Sequence, residues 1–198
     1  QGYEALLRWH HEDEGIIPAS DFLHSCDKSV KQRLGQWVIE TVFNDLASIP
    51  VNADEKRKVT INLFTEQLDM GFVQQMKKTQ DRLKAFNAEL CFELKEASLI
   101  DPSDELRTTL NALAAADFSL IIDDFGAGFA GLTYLREFPI SAIKVDRDFM
   151  ATLDNERGYA IVDGIVELSH RAGIKVHALG IESEHQFALA KQLRFDVC

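Results

Sequence analysis

An α/β fold whose parallel sheet closes into a barrel is what this sequence predicts, and three observations predict it. Short β-branched or aromatic runs alternate with longer amphipathic segments. No glycine-rich dinucleotide turn follows a first strand, because Gly126, Gly128 and Gly131 come after two aspartates that would repel a pyrophosphate. Nearly every apolar run also ends on a charged or metal-capable side chain, which is how barrel active sites are built.

In chain order, strands are expected over residues 59–61, 90–92, 119–122, 142–143 and 175–178. Helices are expected between them, over 29–46, 70–86, 103–116, 128–138, 159–172 and 182–193. Repeated strand-then-helix order implies a parallel sheet covered by helices. Asp101-Pro102-Ser103 carries turn and cap chemistry for one helix, and Gly173 ends another just before a strand must begin. Residues 51–58 read as a polar loop, and with no linker or short repeat the whole span 1–198 is one domain. A complete barrel of this kind takes about 250 residues. The 198 residues therefore predict a barrel without its first strand and its last element, a piece of a longer protein.

Composition narrows the partners. With 46% hydrophobic residues the chain can bury a core, and its formal charge of -11 disfavours a nucleic-acid duplex. A small phosphorylated ligand is compatible with that charge if metal ions screen the acids. Cys26, Cys91 and Cys198 are odd in number and lack metal-type spacing, as expected of reduced thiols in the cytoplasm. No apolar run reaches the ~20 residues of a membrane span, so no membrane contact is expected of this domain, although the parent protein could be membrane-anchored.

The candidate site lies at the strand ends. Asn62 follows Val59-Thr60-Ile61, Glu93 follows Leu90-Cys91-Phe92, Asp123 and Asp124 follow Leu120-Ile121-Ile122, and Lys144 follows Ala142-Ile143. Glu4 precedes an apolar pair near the start. Four carboxylates, a carboxamide and an amine make an oxygen-rich site that suits hard divalent cations such as Mg2+ or Mn2+ better than zinc. Adjacent aspartates fit paired-metal chemistry, in which one carboxylate bridges two ions about 4 Å apart. Lys144 either offsets charge on phosphoryl oxygens or forms a salt bridge to Asp146 or a site acid, and the residues alone weigh these equally. Arg8 could grip a phosphate with both guanidinium arms or sit in a surface ion pair. Adjacent residues on a strand face opposite sides, so His10 and His11 are read as loop residues outside the site.

Glu4-Ala5-Leu6 with Leu7-Arg8-Trp9 resembles the signature of the EAL domain family, and Asp123-Asp124-Phe125-Gly126-Ala127-Gly128 resembles its other hallmark loop. The likeness continues through residues 59–63 and 92–96, through Ile143-Lys144-Val145-Asp146-Arg147, and through Gly180-Ile181-Glu182. It implies a TIM-type (β/α)8 barrel that binds cyclic-di-GMP and, in active members, hydrolyses it to the linear dinucleotide pGpG with two Mg2+ or Mn2+ ions. By the same resemblance Glu4, Asn62, Glu93 and Asp123 would hold the first ion, and Asp123 with Asp124 the second. Lys144 would stand beside the attacking water, Glu96 would brace the loop after the aspartates, and Arg8 and Asp146 would contact ligand. The segment 125–132 is where the family couples dimerisation to catalysis, so a homodimer near 125–138 and a linked sensory or cyclase domain are implied as well.

Three departures qualify the match. Leu179 stands in Ala178-Leu179-Gly180 where the family reads Ala-Glu-Gly, removing an acid from the paired-metal site. Residues 24–29 lack an acidic motif, and the chain ends before a glutamine that commonly follows. Three readings therefore stand: a phosphodiesterase slowed by Leu179, a cyclic-di-GMP receptor that does not cut, and an interaction module that has lost both properties. The third is disfavoured by the presence of Glu4, Arg8, Asn62, Glu93, Asp123, Asp124 and Lys144.

Overall fold

The computed structural model describes residues 2–50, 56–126 and 131–198. They fall into two compact units, Gln1–Phe92 with Ala115–Phe118, and Glu93–Ala114 with Ser119–Cys198.

The first unit opens with strand β1 (Gly2–Ala5), then strands β2 (Arg8–His11) and β3 (Gly15–Pro18) and the short helix α1 (Ala19–Phe22). Helix α2 (Lys28–Ser48), strand β4 (Arg57–Asn62), helix α3 (Met70–Ala85) and the start of strand β5 (Ala88–Lys95) follow. Strand β1 runs parallel to β4 with Glu4 opposite Thr60, and the hydrogen-bonding order is β1, β4, β5. Each long helix starts where an aspartate satisfies an orphan amide: Asp27 accepts from Val30 N–H at 2.8 Å and Asp69 from Phe72 N–H at 2.8 Å. The core is aromatic and aliphatic. Phe92 lies 5.7 Å from Phe72 and 5.2 Å from Phe118, with Phe43, Ile61 and Met76 fully buried around them. Each such side chain contributes about 1.5–3 kcal/mol of burial.

The second unit takes the end of β5 and adds helix α4 (Asp104–Ala114), strand β6 (Ser119–Phe125), helix α5 (Gly131–Glu137), strand β7 (Ala142–Val145), helices α6 (Arg147–Met150) and α7 (Glu156–Arg171), strand β8 (Lys175–Ala178) and helix α8 (Glu184–Gln192). Its strand order is β5, β6, β7, β8, with β6–β7 and β7–β8 parallel. Strands β6 and β7 bury apolar side chains on both faces, with Leu120, Ile121, Ile122 and Ile143 withdrawn from solvent, whereas β8 alternates, burying Val176 and Ala178 and leaving Lys175 exposed. Ser103 Oγ accepts from Leu106 N–H at 3.2 Å at the start of α4, and Gly173, at φ 75°, closes α7. Helix α8 carries a reciprocal cap between Ser183 and Gln186.

The expected strand and helix alternation is present from β4 onward, and the structure corrects the beginning. Glu4 lies within strand β1, where the sequence reading places no strand. His10 and His11 lie in β2, which pairs with β3 in a separate two-stranded sheet. The strand was concealed because Arg-Trp-His-His shows no apolar alternation; the hairpin is instead specified by its polar turn and by Gly15, whose φ of 76° few other residues adopt. Of the expected loop 51–58, residues 51–55 lie outside the described residues, whereas Arg57 and Lys58 already belong to β4. The expected helix 128–138 begins at Gly131 among the described residues. At the other end, Val197 bridges His177 in parallel, adding a first rung beside β8.

Candidate functional site

In the first unit, the parallel register of β1 and β4 brings together residues 58 apart: Asn62 Nδ2 donates to Glu4 Oε1 at 3.3 Å. Asn62 is the last residue of β4, so its side chain is delivered by the strand's C-terminal end, and Glu4 is exposed beside it. The pair offers oxygen donors of the expected kind. Arg8 starts β2 opposite Pro18, and its guanidinium donates to the neighbouring Leu7 carbonyl at 2.9 Å, leaving the side chain at the surface. His11 accepts from Asp13 N–H at 3.2 Å and Glu14 N–H at 3.3 Å, a turn-holding role unrelated to metal.

The second unit holds the charged cluster. Strand β5 carries Glu93 and Lys95 two residues apart, hence on one face. Glu93 is buried, and Lys144 Nζ from β7 approaches its Oε1 at 2.5 Å. Of the two structural partners considered for Lys144, Asp146 and a site acid, the acid is the one it pairs with. Asp146 instead caps α6, accepting from Asp148 N–H at 2.8 Å. Glu96, also buried, accepts from Gly126 N–H at 2.9 Å through Oε2, so a carboxylate holds the backbone immediately after the aspartates. The remainder of segment 125–132 includes residues 127–130, which lie outside the described residues.

Asp123 and Asp124 are adjacent in β6, and regular alternation would send them to opposite faces. The register with β7 shifts between Ile122 and Phe125, and Asp124 takes a φ of 55° in the left-handed region, which aspartate tolerates better than most residues. This irregularity is the device that re-aims side chains in a strand. Gly126 must stay glycine: at φ 103° a Cβ would meet the Phe149 ring at 2.6 Å. Burial pushes the Asp123 carboxyl above the usual aspartate range, the charge of Asp124 adds to this, and Lys144 and Lys95 oppose it.

Lys95 was missed by the sequence reading. Its Nζ lies 3.1 Å from Asp124 Oδ2, and this hydrogen bond raises the lysine's affinity for its proton. The signal that could have found it was its place two residues beyond Glu93 on the same strand. Leu179 follows β8, one residue beyond Ala178, which is registered through Val145 with Phe125, the residue after the aspartates. It is half-buried and donates its N–H to the Val145 carbonyl at 3.4 Å.

The donor types present, carboxylate and carboxamide oxygen, fit a hard divalent cation. The donors are not preassembled around an ion: Glu93 and Asp124 each face a lysine, and among the described residues no three His, Cys, Asp or Glu side chains form a group that could hold a metal as they stand.

Comparison with known proteins identifies the framework. The chain is 31% identical over 192 residues to the cyclic di-GMP phosphodiesterase PdeL of Escherichia coli (strain K12), covering 93% of this chain and 52% of that protein. It is 29% identical over 194 residues to the cyclic di-GMP phosphodiesterase NbdA of Pseudomonas aeruginosa, covering 96% of this chain and 24% of that protein. The solved structure of the EAL enzyme Bd1971, in its cAMP- and cyclic-di-GMP-bound form, matches 98% of this chain and 54% of its own with a TM-score of 0.84 at 27% identity. The chain thus spans between about a quarter and a half of the length of these relatives. Their fold is the α/β class expected from the alternation of strands and helices, and the model of the EAL domain family matches residues 1–198; the chain belongs to the EAL domain family.

Proposed function

We propose that this chain is a cyclic-di-GMP-binding domain that carries the metal-dependent phosphodiesterase chemistry giving pGpG, in a form impaired by Leu179. The observation that carries the reading is the cluster of Glu93, Asp123, Asp124 and Lys144 at the ends of neighbouring strands, in a chain matched by its family over all 198 residues. Divalent Mg2+ or Mn2+, when bound, supplies polarisation of a phosphoryl oxygen and an activated water. Glu93, Asp123 and Asp124 would supply oxygen donors, and the family resemblance adds Glu4 and Asn62 to the ligand set. Lys144 sets positive charge beside the acids, where it can hold the attacking water or offset charge on the phosphate. Glu96 braces the backbone after the aspartates through Gly126, and Arg8 and Asp146 contact ligand.

The alternative is a receptor that binds cyclic-di-GMP without cutting it. Leu179 favours this reading, because a leucine neither ligates a metal nor accepts a proton at the strand end where an acid is wanted. A linked sensory or cyclase domain accords with the share of its relatives that the chain spans. A homodimer through the region 125–138 belongs to the same proposal. So does a cytoplasmic location, supported by three free cysteines and by the lack, among the described residues, of any helix long and apolar enough to cross a membrane.

The test is to incubate the purified chain with cyclic-di-GMP and Mg2+ or Mn2+, follow pGpG by chromatography, and record binding in Ca2+ in parallel. Slow product formation that Leu179→Glu accelerates by about 10²-fold or more supports the impaired enzyme, since acid-base assistance is worth about 10²- to 10⁴-fold. Binding with no product in either protein makes the chain a receptor. Absence of binding sinks both readings.

A further inference from the structure

We propose that the Lys95 ammonium stands in for one of the two cations at the aspartate pair, so that this chain takes a single divalent ion. The inference rests on the metal-dependent reading above and concerns how many ions the second unit accepts. Adjacent carboxylates at a strand end are the ligand set that paired ions require, one bridging and its neighbour completing the second shell of donors. Here the carboxylate that would complete the second ion's set is already engaged, with Lys95 Nζ at 3.1 Å from Asp124 Oδ2. Lys95 reaches it because β5 alternates, which puts Lys95 on the face of Glu93, and because the irregular register of β6 re-aims the aspartates.

Charge balance points the same way. Glu93, Asp123 and Asp124 meet Lys95 and Lys144, so this cluster holds one more negative than positive charge. With the buried Glu96 beside the aspartates the excess rises to two, which one divalent ion neutralises, and Lys95 lowers the attraction left for a second. In a paired-metal site another acid nearby restores the balance, but the strand-end row from Phe125 through Val145 to Ala178 ends on Leu179. The cation supplied by Lys95 and the acid absent at Leu179 therefore act together, each lowering the affinity for the same ion. The lysine can be displaced, because it is 65% exposed, so its effect is on affinity and does not block the site outright.

Mn2+ binding followed by electron paramagnetic resonance and calorimetry tests this on the wild-type chain, Lys95→Thr, Lys95→Arg and Lys95→Thr with Leu179→Glu, each checked for an unchanged circular-dichroism spectrum. Expected is one Mn2+ per wild-type chain. Lys95→Thr should tighten a second site by about fivefold to tenfold, Lys95→Arg should behave as wild type, and the double variant should bind two ions with spin coupling between them. Two ions on the wild-type chain at the affinity of Lys95→Thr would overturn the inference while leaving the proposed function intact. A stoichiometry of one in the double variant would overturn it as well. Failure of every variant to bind Mn2+ would overturn the metal-dependent reading itself, and this inference with it.

Discussion

Strand β5 contributes one side chain to each of two lysine–carboxylate pairs, and the two pairs differ in kind. Glu93 and Lys144 meet at 2.5 Å with side-chain exposures of 0% and 11%, whereas Lys95 and Asp124 meet at 3.1 Å with exposures of 65% and 38%. In the first pair both charges have left water, so each depends on the other for compensation. In the second, water competes for both partners and the attraction is screened. The difference separates a charge built into the fold from a charge that a ligand can exchange. Glu93 and Lys144 define the geometry of the strand ends, and Lys95 tunes what binds there.

Breaking the buried pair has the largest expected effect. Lys144→Met leaves the Glu93 carboxylate inside without its ammonium, a change that costs about 3–5 kcal/mol. For a chain of this size that lowers Tm by roughly 10 °C, measured by calorimetry or urea titration. Adding Glu93→Gln should recover most of the loss, because the surplus charge then goes too. A single variant that melts within 2–3 °C of wild type would mean that water reaches the pair, and the contrast between the two pairs would disappear.

The next effect sharpens the comparison from within the same cluster. Asp123 titrates above the usual aspartate range, chiefly because it is buried and then because Asp124 is charged. A carboxyl whose folded pKa is raised adds stability below its unfolded pKa, and that stability is lost as pH rises through the folded value. At neutral pH the ionised Asp123 is therefore a burden on the metal-free fold. Asp123→Asn should raise the Tm of metal-free protein by about 2–4 °C for each kcal/mol relieved, with the gain shrinking as the pH is lowered toward 4. It should also abolish Mn2+ binding. A lower Tm in the metal-free variant at pH 7 would show that the aspartate is structurally satisfied and is not held for a ligand.

Legibility in the sequence followed the physics of each region. Strands β5, β6 and β7 were readable as apolar runs because they are buried on both faces, β4 and β8 because β-branched residues alternate with polar ones, and the amphipathic pattern placed α3 to within a residue. Strands β1 and β2 were not, since they are exposed and read Gly-Tyr-Glu-Ala and Arg-Trp-His-His, with no apolar periodicity to detect. The acids and Lys144 were legible as strand-end residues. Which of them pair was not, because pairing depends on register: the Asn62–Glu4 bond needs β1 beside β4, and the Lys144–Glu93 bond brings β7 to β5. The irregularity at Asp123–Asp124 left no composition signal, although strict alternation, the rule that set His10 and His11 apart, would have separated the aspartates too. Lys95 looked like an ordinary solvated lysine, which by exposure it is.

The smallest expected effect tests that last point. Removing Lys95 deletes an exposed ion pair, a class worth about 0–1 kcal/mol before the side-chain entropy of holding it is counted. Threonine also suits a strand position at least as well as lysine, so part of that loss is returned. Lys95→Thr should consequently leave metal-free stability within about 0.5 kcal/mol of wild type in urea titration, while the same substitution tightens the second Mn2+ site. A stability change without a binding change would assign Lys95 to the fold beside Lys144. A loss beyond about 1 kcal/mol would show that the exposed pair is held as firmly as the buried one. Unchanged stability with altered metal affinity is the outcome that keeps the two pairs apart, because a charge that holds no part of the fold can still decide which ions the aspartates accept.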